Sequence, residues 1–283
     1  MMQRWLLRLL CVCVVGAGSL PSVQAAERIV SLNLCTDQLA LMLADRAQIA
    51  GLSPLVRDCS GSVLCQMAAT VPIIAPSAEN VIAAQPDVVL AGQFTARVAV
   101  KAAREVGAQV LTLPPASSLA DIPVQIMQVA RAVGHPERGA ALVAAFQKRL
   151  AEISLSRQPT DPVAAVYEAN GFVAGPKSLP DDVLAHAGLR NLSTVADITA
   201  VGRVPLETLL AHQPDLLIRD RSGQGYSLAQ GMLDNPVLKH FFLNNHAVDV
   251  PASLWLCGLP QTLDAVAILR NVRDSLKQMQ GIP

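Results

Sequence analysis

Hydrophobic and polar positions along this chain form blocks that predict short buried strands followed by helices. Aliphatic runs without polar interruption are typical of parallel strands covered on both faces. The first half of the chain predicts strands at Arg28–Leu32, Ile49–Ser53 and Gln109–Leu113, a further strand ending near Ala91, and helices at Thr36–Ala44 and Thr95–Val106. Four such steps in succession predict one doubly wound α/β lobe.

One twelve-residue pattern occurs twice, as ENVIAAQPDVVL at Glu79–Leu90 and ETLLAHQPDLLI at Glu207–Ile218, with a constant offset of 128 residues. Five positions are identical, and five others exchange one aliphatic residue for another. Each copy predicts a short helix, a turn at Gln-Pro-Asp and a buried strand, because a proline prevents the helix from continuing. The long period excludes a solenoid, whose repeats span roughly 20–50 residues, and predicts two similar lobes.

Between the two copies, Leu119–Val133 and Glu137–Leu155 are predicted helices with no strand between them. We therefore predict an α/β fold of two Rossmann-like lobes with mostly parallel sheets, joined by a long backbone helix at 137–155. The predicted division is a signal peptide at 1–25, a first lobe at 26–118, a helical segment at 119–158 and a second lobe at 159–283. The second lobe is predicted to contain strands at Val163–Tyr167, Asp215–Ile218 and Ala247–Val250, and helices at Leu179–Ala187, Leu206–Ala211, Ser227–Leu233, Val237–Asn244 and Gln261–Met279.

The first 25 residues have the features of a cleavable export signal. Arg4 and Arg8 precede or flank a short apolar run, and Val23-Gln24-Ala25 fits a small-residue cleavage site. Two of the 22 basic residues and none of the 22 acidic residues lie in this segment, so the remainder has a formal net charge of about −2. This charge argues against a nucleic-acid partner, which requires a basic patch.

Four cysteines follow the predicted signal: Cys35, Cys59, Cys65 and Cys257. An even number of cysteines in an oxidising compartment favours disulfides, and four of them allow three connectivities. Cys59 and Cys65 enclose a short loop and are the easiest pair to join. We treat their disulfide as one of two open alternatives, the other being unpaired thiols.

The sequence resembles the periplasmic binding proteins of ABC importers for vitamin B12, haem and iron–siderophore complexes. The resemblance covers essentially the whole chain after the signal. It depends on five motifs in order: RIVSLN, AENVIAAQPDVVLAG, VAGPKSLPDDVLAHAGLRN, VPLETLLAHQPDLLI and LWLCGLPQTLDAV. It implies that Glu79 and Glu207, one in each lobe, contact basic residues of a membrane permease. Equivalent carboxylates on two pseudo-symmetric lobes also match a two-fold transporter, although both residues could instead only favour helix N-termini.

Ligands of open α/β sheets bind at the carboxyl ends of the strands. Residues on the corresponding loops are therefore our candidate ligand-binding set. It consists of Asn33, Cys35, Arg57, Phe94, Arg97, Phe172, Arg203, Arg221, Tyr226, Trp255 and Cys257. The aromatic residues offer flat apolar surface, the arginines can neutralise ligand acids, and the Asn33 side chain either donates to a ligand carbonyl or caps the following helix. The alternative for each is ordinary packing or a solvated surface position.

Cys35 and Cys257 lie on predicted cleft loops, one in each lobe, and each precedes a helix. Three alternatives remain open: small packing residues, a disulfide across the cleft, or thiols that contact a metal or macrocyclic ligand. A thiol-dependent enzyme or a chelatase-like protein using Cys35 is the alternative function. No histidine lies on a predicted cleft loop to activate the thiol, and no histidine pair has the spacing of a zinc site.

These observations predict a protein without catalytic residues, resident metal or cofactor. We expect a monomeric, exported periplasmic protein that captures a metal chelate (a ferric siderophore, corrinoid or haem) between its lobes. Its partners are expected to be that ligand and an inner-membrane ABC permease dimer with its ATPase.

Overall fold

The computed structural model describes residues 26–197, 202–219, 231, 233, 235–242 and 246–280. The predicted signal peptide, Arg221, Tyr226 and most of the predicted helix at 227–233 lie outside these residues. None of the described helices is both long and apolar enough to cross a bilayer.

The first half of the chain forms a four-stranded parallel sheet. Its strands are β1 (Ile29–Ser31), β2 (Ile49–Gly51), β3 (Val88–Gly92) and β4 (Gln109–Leu113), in the order β2-β1-β3-β4. The helices that follow these strands are α1 (Leu34–Leu43), α2 (Ala78–Ala84) and α3 (Arg97–Glu105). Ile29, Val30, Val89 and Leu90 are fully buried, as expected for strands covered on both faces.

Two helices without an intervening strand come next, namely α4 (Asp121–Ala132) and α5 (Pro136–Ile153). Near the start of α5, the Arg138 guanidinium donates to the Leu43 carbonyl at 2.7 Å, in the first half of the chain. Near its end, Arg149 pairs with Asp264 at 2.6 Å, in the second half. The helix is therefore fixed at each end to a different half, which confirms the predicted backbone helix.

The second half of the chain forms another four-stranded parallel sheet and a small antiparallel ribbon. The strands in chain order are β5 (Val163–Val166), β6 (Phe172–Val173), β7 (Arg190–Asn191), β8 (Gly202–Arg203), β9 (Leu216–Arg219) and β10 (Ala247–Asp249). The helices are α6 (Leu179–His186), α7 (Leu192–Val195), α8 (Leu206–Ala211), α9 (Pro236–Phe241) and α10 (Thr262–Gln280). The sheet order is β10-β9-β5-β7, and β6 pairs with β8 to form the ribbon.

The two sheets are separate and repeat one topology. In the first, β1 and β3 pair Ile29 with Val88; in the second, β5 and β9 pair Ala164 with Leu216, which is 128 residues after Val88. In both sheets the strand of the repeat lies between the first strand of its half and an edge strand. The predicted fold class is therefore confirmed. The division at 118/119 and 158/159 stays a prediction.

The Gln-Pro-Asp turns have the same conformation and make the same hydrogen bond in both halves. Gln85 and Gln213 both have positive φ, at 44° and 45°, so each takes the left-handed conformation that ends a helix. The Asp87 carboxylate accepts from the amide of Arg28 at 2.9 Å, and the Asp215 carboxylate accepts from the amide of Val163 at 2.8 Å. Each turn thus holds the entry to the first strand of its own sheet.

A buried ion cluster fixes the closing helix to the second half. Asp161 is fully buried just before β5, and Arg273 and Lys277 of α10 lie 3.1 and 3.4 Å from its carboxylate. Burial raises the pKa of Asp161. The hydrogen bonds from Gln158 and Arg273 and the charge of Arg273 together lower the pKa by a larger amount, so it lies below its usual value. The carboxylate therefore stays ionised inside the fold.

Candidate functional site

Two adjoining cavities lie at the carboxyl ends of the strands, where ligands of open α/β sheets bind. The first, which we call cavity I, has a volume of about 380 Å³ and is lined by residues that follow β1, β3 and β4. The second, cavity II, has a volume of about 520 Å³ and is lined mainly by residues that follow β5 and β10. Pro115, Ala116 and Leu256 line both. The cavities therefore form one cleft between the two sheets.

The start of α1 forms one wall of cavity I. Asn33 is the N-cap of α1, and its side-chain oxygen accepts from the Cys35 amide at 3.0 Å. The Asn33 amide group also lies against Gly92 of β3, where a Cβ would come within 2.8 Å of its Cγ. Any larger residue at position 92 would displace Asn33. The structure shows that Asn33 caps α1, which is one of the two roles considered for it.

Cys35 and Cys257 form a disulfide that joins the start of α1 to the segment after β10. Both residues line cavity I, so the bond lies in the cleft wall. The structure thus has the second of the three alternatives. In this oxidised form Cys35 has no thiolate that could act as a nucleophile, because a disulfide sulfur carries none. Cys59 and Cys65 form a second disulfide within the first half.

Asp37 lies on α1 two residues after Cys35 and is fully buried. Its carboxyl group accepts from the Ser53 hydroxyl at 2.5 Å and from the Ser53 amide at 3.2 Å. Burial raises the pKa of Asp37 to about 7, and the hydrogen bonds from Ser31 and Ser53 oppose this only in part. This carboxyl group connects α1 to the loop that leads to the second disulfide.

Five predicted ligand-binding residues line the cavities. Asn33, Cys35, Phe94 and Cys257 line cavity I, and Trp255 lines cavity II. Phe94 is 83% exposed, whereas Trp255 is only 5% exposed and so offers little of its ring to a ligand. Trp255 is therefore mainly a packing residue at the edge of cavity II, and its role as a ligand contact stays a prediction.

The remaining described candidates line neither cavity. Arg57 donates to the backbone carbonyls of Ala68, Ala69 and Val71, with its closest contact at 2.9 Å, and so braces its own loop. The Arg203 guanidinium lies 5.2 Å from the centre of the Phe172 ring in the ribbon. Arg97 is exposed at the start of α3. Their role as ligand contacts stays a prediction that the geometry does not favour.

Several lining residues were missed by the sequence-based reasoning. They include Leu34, Pro115, Ala116, Gln125, Glu168, Ser178 and Leu256. Most are small or aliphatic, and such side chains give no signal that separates a cleft wall from a core. Ser178 directly precedes the predicted helix at Leu179–Ala187, in the connection that follows the predicted strand at Val163–Tyr167, and this place could have indicated the cleft.

The charge of the described cleft lining is low. Glu168 is the one ionisable side chain among these lining residues, apart from the bonded cysteines, and no lysine, arginine, histidine or tyrosine occurs among them. No group of three or more His, Cys, Asp or Glu among the described residues could hold a metal ion. The described lining of the two cavities is therefore largely uncharged.

Residues 29–251 match the family model described as periplasmic binding protein. This match covers most of the chain. The chain belongs to the periplasmic binding protein family.

Relatives of the family with solved structures share the fold. The haem-binding protein of Roseiflexus sp. RS-1 has a TM-score of 0.70 at 22% identity, covering 89% of this chain and 99% of that one. The vitamin B12-binding protein of Vibrio cholerae has a TM-score of 0.67 at 16% identity, covering 89% and 98%. At these identities, the likeness shows the two-lobed fold.

A curated relative described as a cobalamin-binding protein, from Halobacterium salinarum, is 26% identical over 203 residues. The aligned region covers 68% of this chain and 53% of the relative. The chain therefore spans about half the length of the curated relatives it matches. These family members are binding proteins by description.

Proposed function

We propose that this protein is a periplasmic solute-binding protein that captures a metal-chelate nutrient in the cleft between its lobes and delivers it to an ABC permease. The observation that carries the proposal is the pair of adjoining cavities at the strand ends of two repeated sheets. A site assembled from both sheets is suited to grip a broad ligand from two sides. The periplasmic location is supported by the family and by the predicted export signal.

Among ferric siderophores, corrinoids and haem, the described walls favour a corrinoid. Haem needs an axial ligand such as His, Met, Tyr or a Cys thiolate, and the described lining residues include none of these. Anionic ferric siderophores and haem propionates are usually bound by cations, and the described lining residues include no arginine or lysine. The amide-rich, largely neutral surface of a corrinoid needs neither.

The proposal is tested by titration calorimetry of the oxidised protein with cyanocobalamin, haemin and an anionic ferric tricatecholate siderophore, ferric enterobactin. We expect cyanocobalamin to bind at least about tenfold more tightly than the other two, a difference of roughly 1.4 kcal/mol. Tighter binding of haemin or ferric enterobactin would replace the corrinoid assignment with that class. Failure of all three to bind would reject capture of a metal chelate.

Delivery to the permease is proposed to depend on Glu79 and Glu207. Both are exposed in the first turn of a repeat helix, α2 and α8, one beside each sheet. Charged pairs of this kind set register and encounter rate more than affinity. The repeat therefore presents two equivalent negative charges, as a two-fold partner with basic patches requires.

The docking role is tested with Glu79→Arg/Glu207→Arg in an uptake assay with permease-containing vesicles. We expect uptake to fall to background while cyanocobalamin affinity stays within about twofold, because these exposed side chains lie outside both cavities. Glu152→Arg is the matched control, because Glu152 is also exposed but lies at the end of α5. Undiminished uptake by the double variant would contradict the docking role.

A further inference from the structure

Leu256 is the one described residue of the second half that lines both cavities. Its neighbour Trp255 lines only cavity II, and its neighbour Cys257 lines only cavity I. The side chain is 58% exposed, and it borders the space of both cavities. A single exposed leucine is ordinary on a protein surface, so its position at the junction of the cavities, and not its exposure, is what distinguishes it.

The backbone around Leu256 is fixed from both halves of the molecule. Its amide donates to the Ala252 carbonyl at 2.7 Å, within the second half. The next residue, Cys257, is bonded to Cys35 at the start of α1, in the first half. The carbonyl of Cys257 also accepts from the Thr262 hydroxyl at 3.3 Å. The position of Leu256 therefore depends on a covalent bond across the cleft.

The side chain of Leu256 reaches the first half. A Cβ built on Gly61 would lie 3.6 Å from Leu256 Cδ2 and 3.4 Å from Leu34 Cδ2. Gly61 lies in the loop closed by Cys59 and Cys65. Leu256 therefore lies beside the loop closed by the second disulfide. Together with Pro115 and Ala116, it lines the place where the two cavities meet.

We propose that Leu256 is a specificity-determining residue of the cleft and that the Cys35–Cys257 disulfide positions it. This inference rests on the proposed function. A ligand broad enough to enter both cavities must contact Leu256 as it crosses from one to the other, whereas a ligand confined to one cavity contacts less of it. Leu256 therefore selects for a broad ligand with an apolar face at its centre.

The specificity role is tested by titrating Leu256→Ala with cyanocobalamin. We expect affinity to fall at least about tenfold, because the apolar contact is lost at the centre of the ligand. Leu256→Met, which nearly conserves volume, should restore affinity to within about threefold of the original. Val124→Ala is the control, because Val124 is 57% exposed on α4 and lines neither cavity. Equal affinity of the original protein and Leu256→Ala would overturn the specificity role.

The positioning role is tested without a ligand. The chain has two tryptophans, Trp5 and Trp255, and Trp5 belongs to the predicted signal peptide, so Trp255 is the reporter beside the disulfide in the exported protein. In the exported protein, Cys35→Ser/Cys257→Ser should raise the acrylamide quenching constant of Trp255 about twofold, because a buried ring becomes accessible once its segment is released. Cys59→Ser/Cys65→Ser should change it less.

The two measurements separate the two proposals. Unchanged quenching in Cys35→Ser/Cys257→Ser would overturn the positioning role whatever the ligand. If quenching rises while the oxidised protein binds none of the three ligand classes, the proposed function and the specificity role are wrong, and the positioning of the Trp255–Cys257 segment by the disulfide stands. If both measurements change as expected, both proposals are supported.

Discussion

The two halves of the molecule share a frame but differ in the connection after the first strand of each sheet. In the first half, β1 leads directly into α1, so Asn33 and Cys35 reach the cleft at a helix start. In the second half, β5 leads into the ribbon strand β6 before α6 begins at Leu179. The repeat therefore determines where the cleft forms, and the segments between strand and helix determine its surface.

The two halves also shift the pKa of a buried carboxyl group in opposite directions. Asp37 in the first half is surrounded by hydroxyl groups, and burial raises its pKa. Asp161 in the second half faces Arg273 and Lys277, and its pKa is lowered. A buried acid thus has a raised pKa where only neutral donors surround it and a lowered pKa where cations do.

The two disulfides should contribute very different amounts to the free energy of unfolding. Cys35 and Cys257 are 222 residues apart, and the loop-entropy relation gives about 5 kcal/mol for a loop of this length. Cys59 and Cys65 are 6 residues apart, which gives about 2 kcal/mol. Urea unfolding of the two double-serine variants measures both losses. An equal loss in the two variants would show that joining the halves adds no more than closing a short loop.

The two buried aspartates should give opposite pH dependences of stability. The raised pKa of Asp37 means that its contribution is complete below about pH 4, the usual range of an unfolded Asp, and is lost as the pH rises through 7. This loss amounts to roughly 4 kcal/mol at most. The lowered pKa of Asp161 means that its contribution is present above about pH 4 and is lost as the pH falls below it.

Unfolding free energies of Asp37→Asn and Asp161→Asn between pH 3 and 8 test these signs. Asp37→Asn should gain stability relative to the original protein as the pH rises, because asparagine keeps the neutral state. Asp161→Asn should lose least at the lowest pH, where the original carboxylate is also protonated. The same slope in both variants would contradict the comparison.

The smallest effect should come from the repeated turns. Asp87→Ala and Asp215→Ala each remove a carboxylate that accepts from a backbone amide at the start of a sheet. We expect each to cost about 1 kcal/mol, and the two costs to be similar, because the turns have the same conformation. Chemical denaturation of the two single variants measures this. A cost confined to one half would break the structural equivalence of the turns.

The elements that the sequence predicted best are those with local signals. The helix at Leu206–Ala211 and the strand at Gln109–Leu113 match their predicted bounds, because proline or glycine turns flank long aliphatic runs. The ribbon of Phe172–Val173 with Gly202–Arg203 was not predicted, because two-residue strands show no periodic pattern. α1 begins at Leu34 and not at Thr36, because Asn33 and not Thr36 caps it.

The site was less predictable than the fold. The location of the cleft can be inferred from the strand ends, which sequence alone can find. The sequence offers the Cys35–Cys257 disulfide only as one of three alternatives, because the 222-residue separation of the two cysteines is bridged by the packing of the two halves. The sequence-based reasoning selected Trp255 because it is aromatic. It did not select the neighbouring Leu256, which lines both cavities. Nothing in the sequence separates an aliphatic residue at a cleft from one in a core.

The positions of the cysteines impose an order on oxidative maturation. A chain that emerges from its N-terminus presents Cys35, Cys59 and Cys65 long before Cys257. Until the last of these arrives, Cys35 has only the wrong partners available, so a correct first bond between Cys59 and Cys65 protects it from mispairing. Full maturation therefore waits for the segment around Cys257, and a thiol isomerase becomes necessary whenever Cys35 reacts too early.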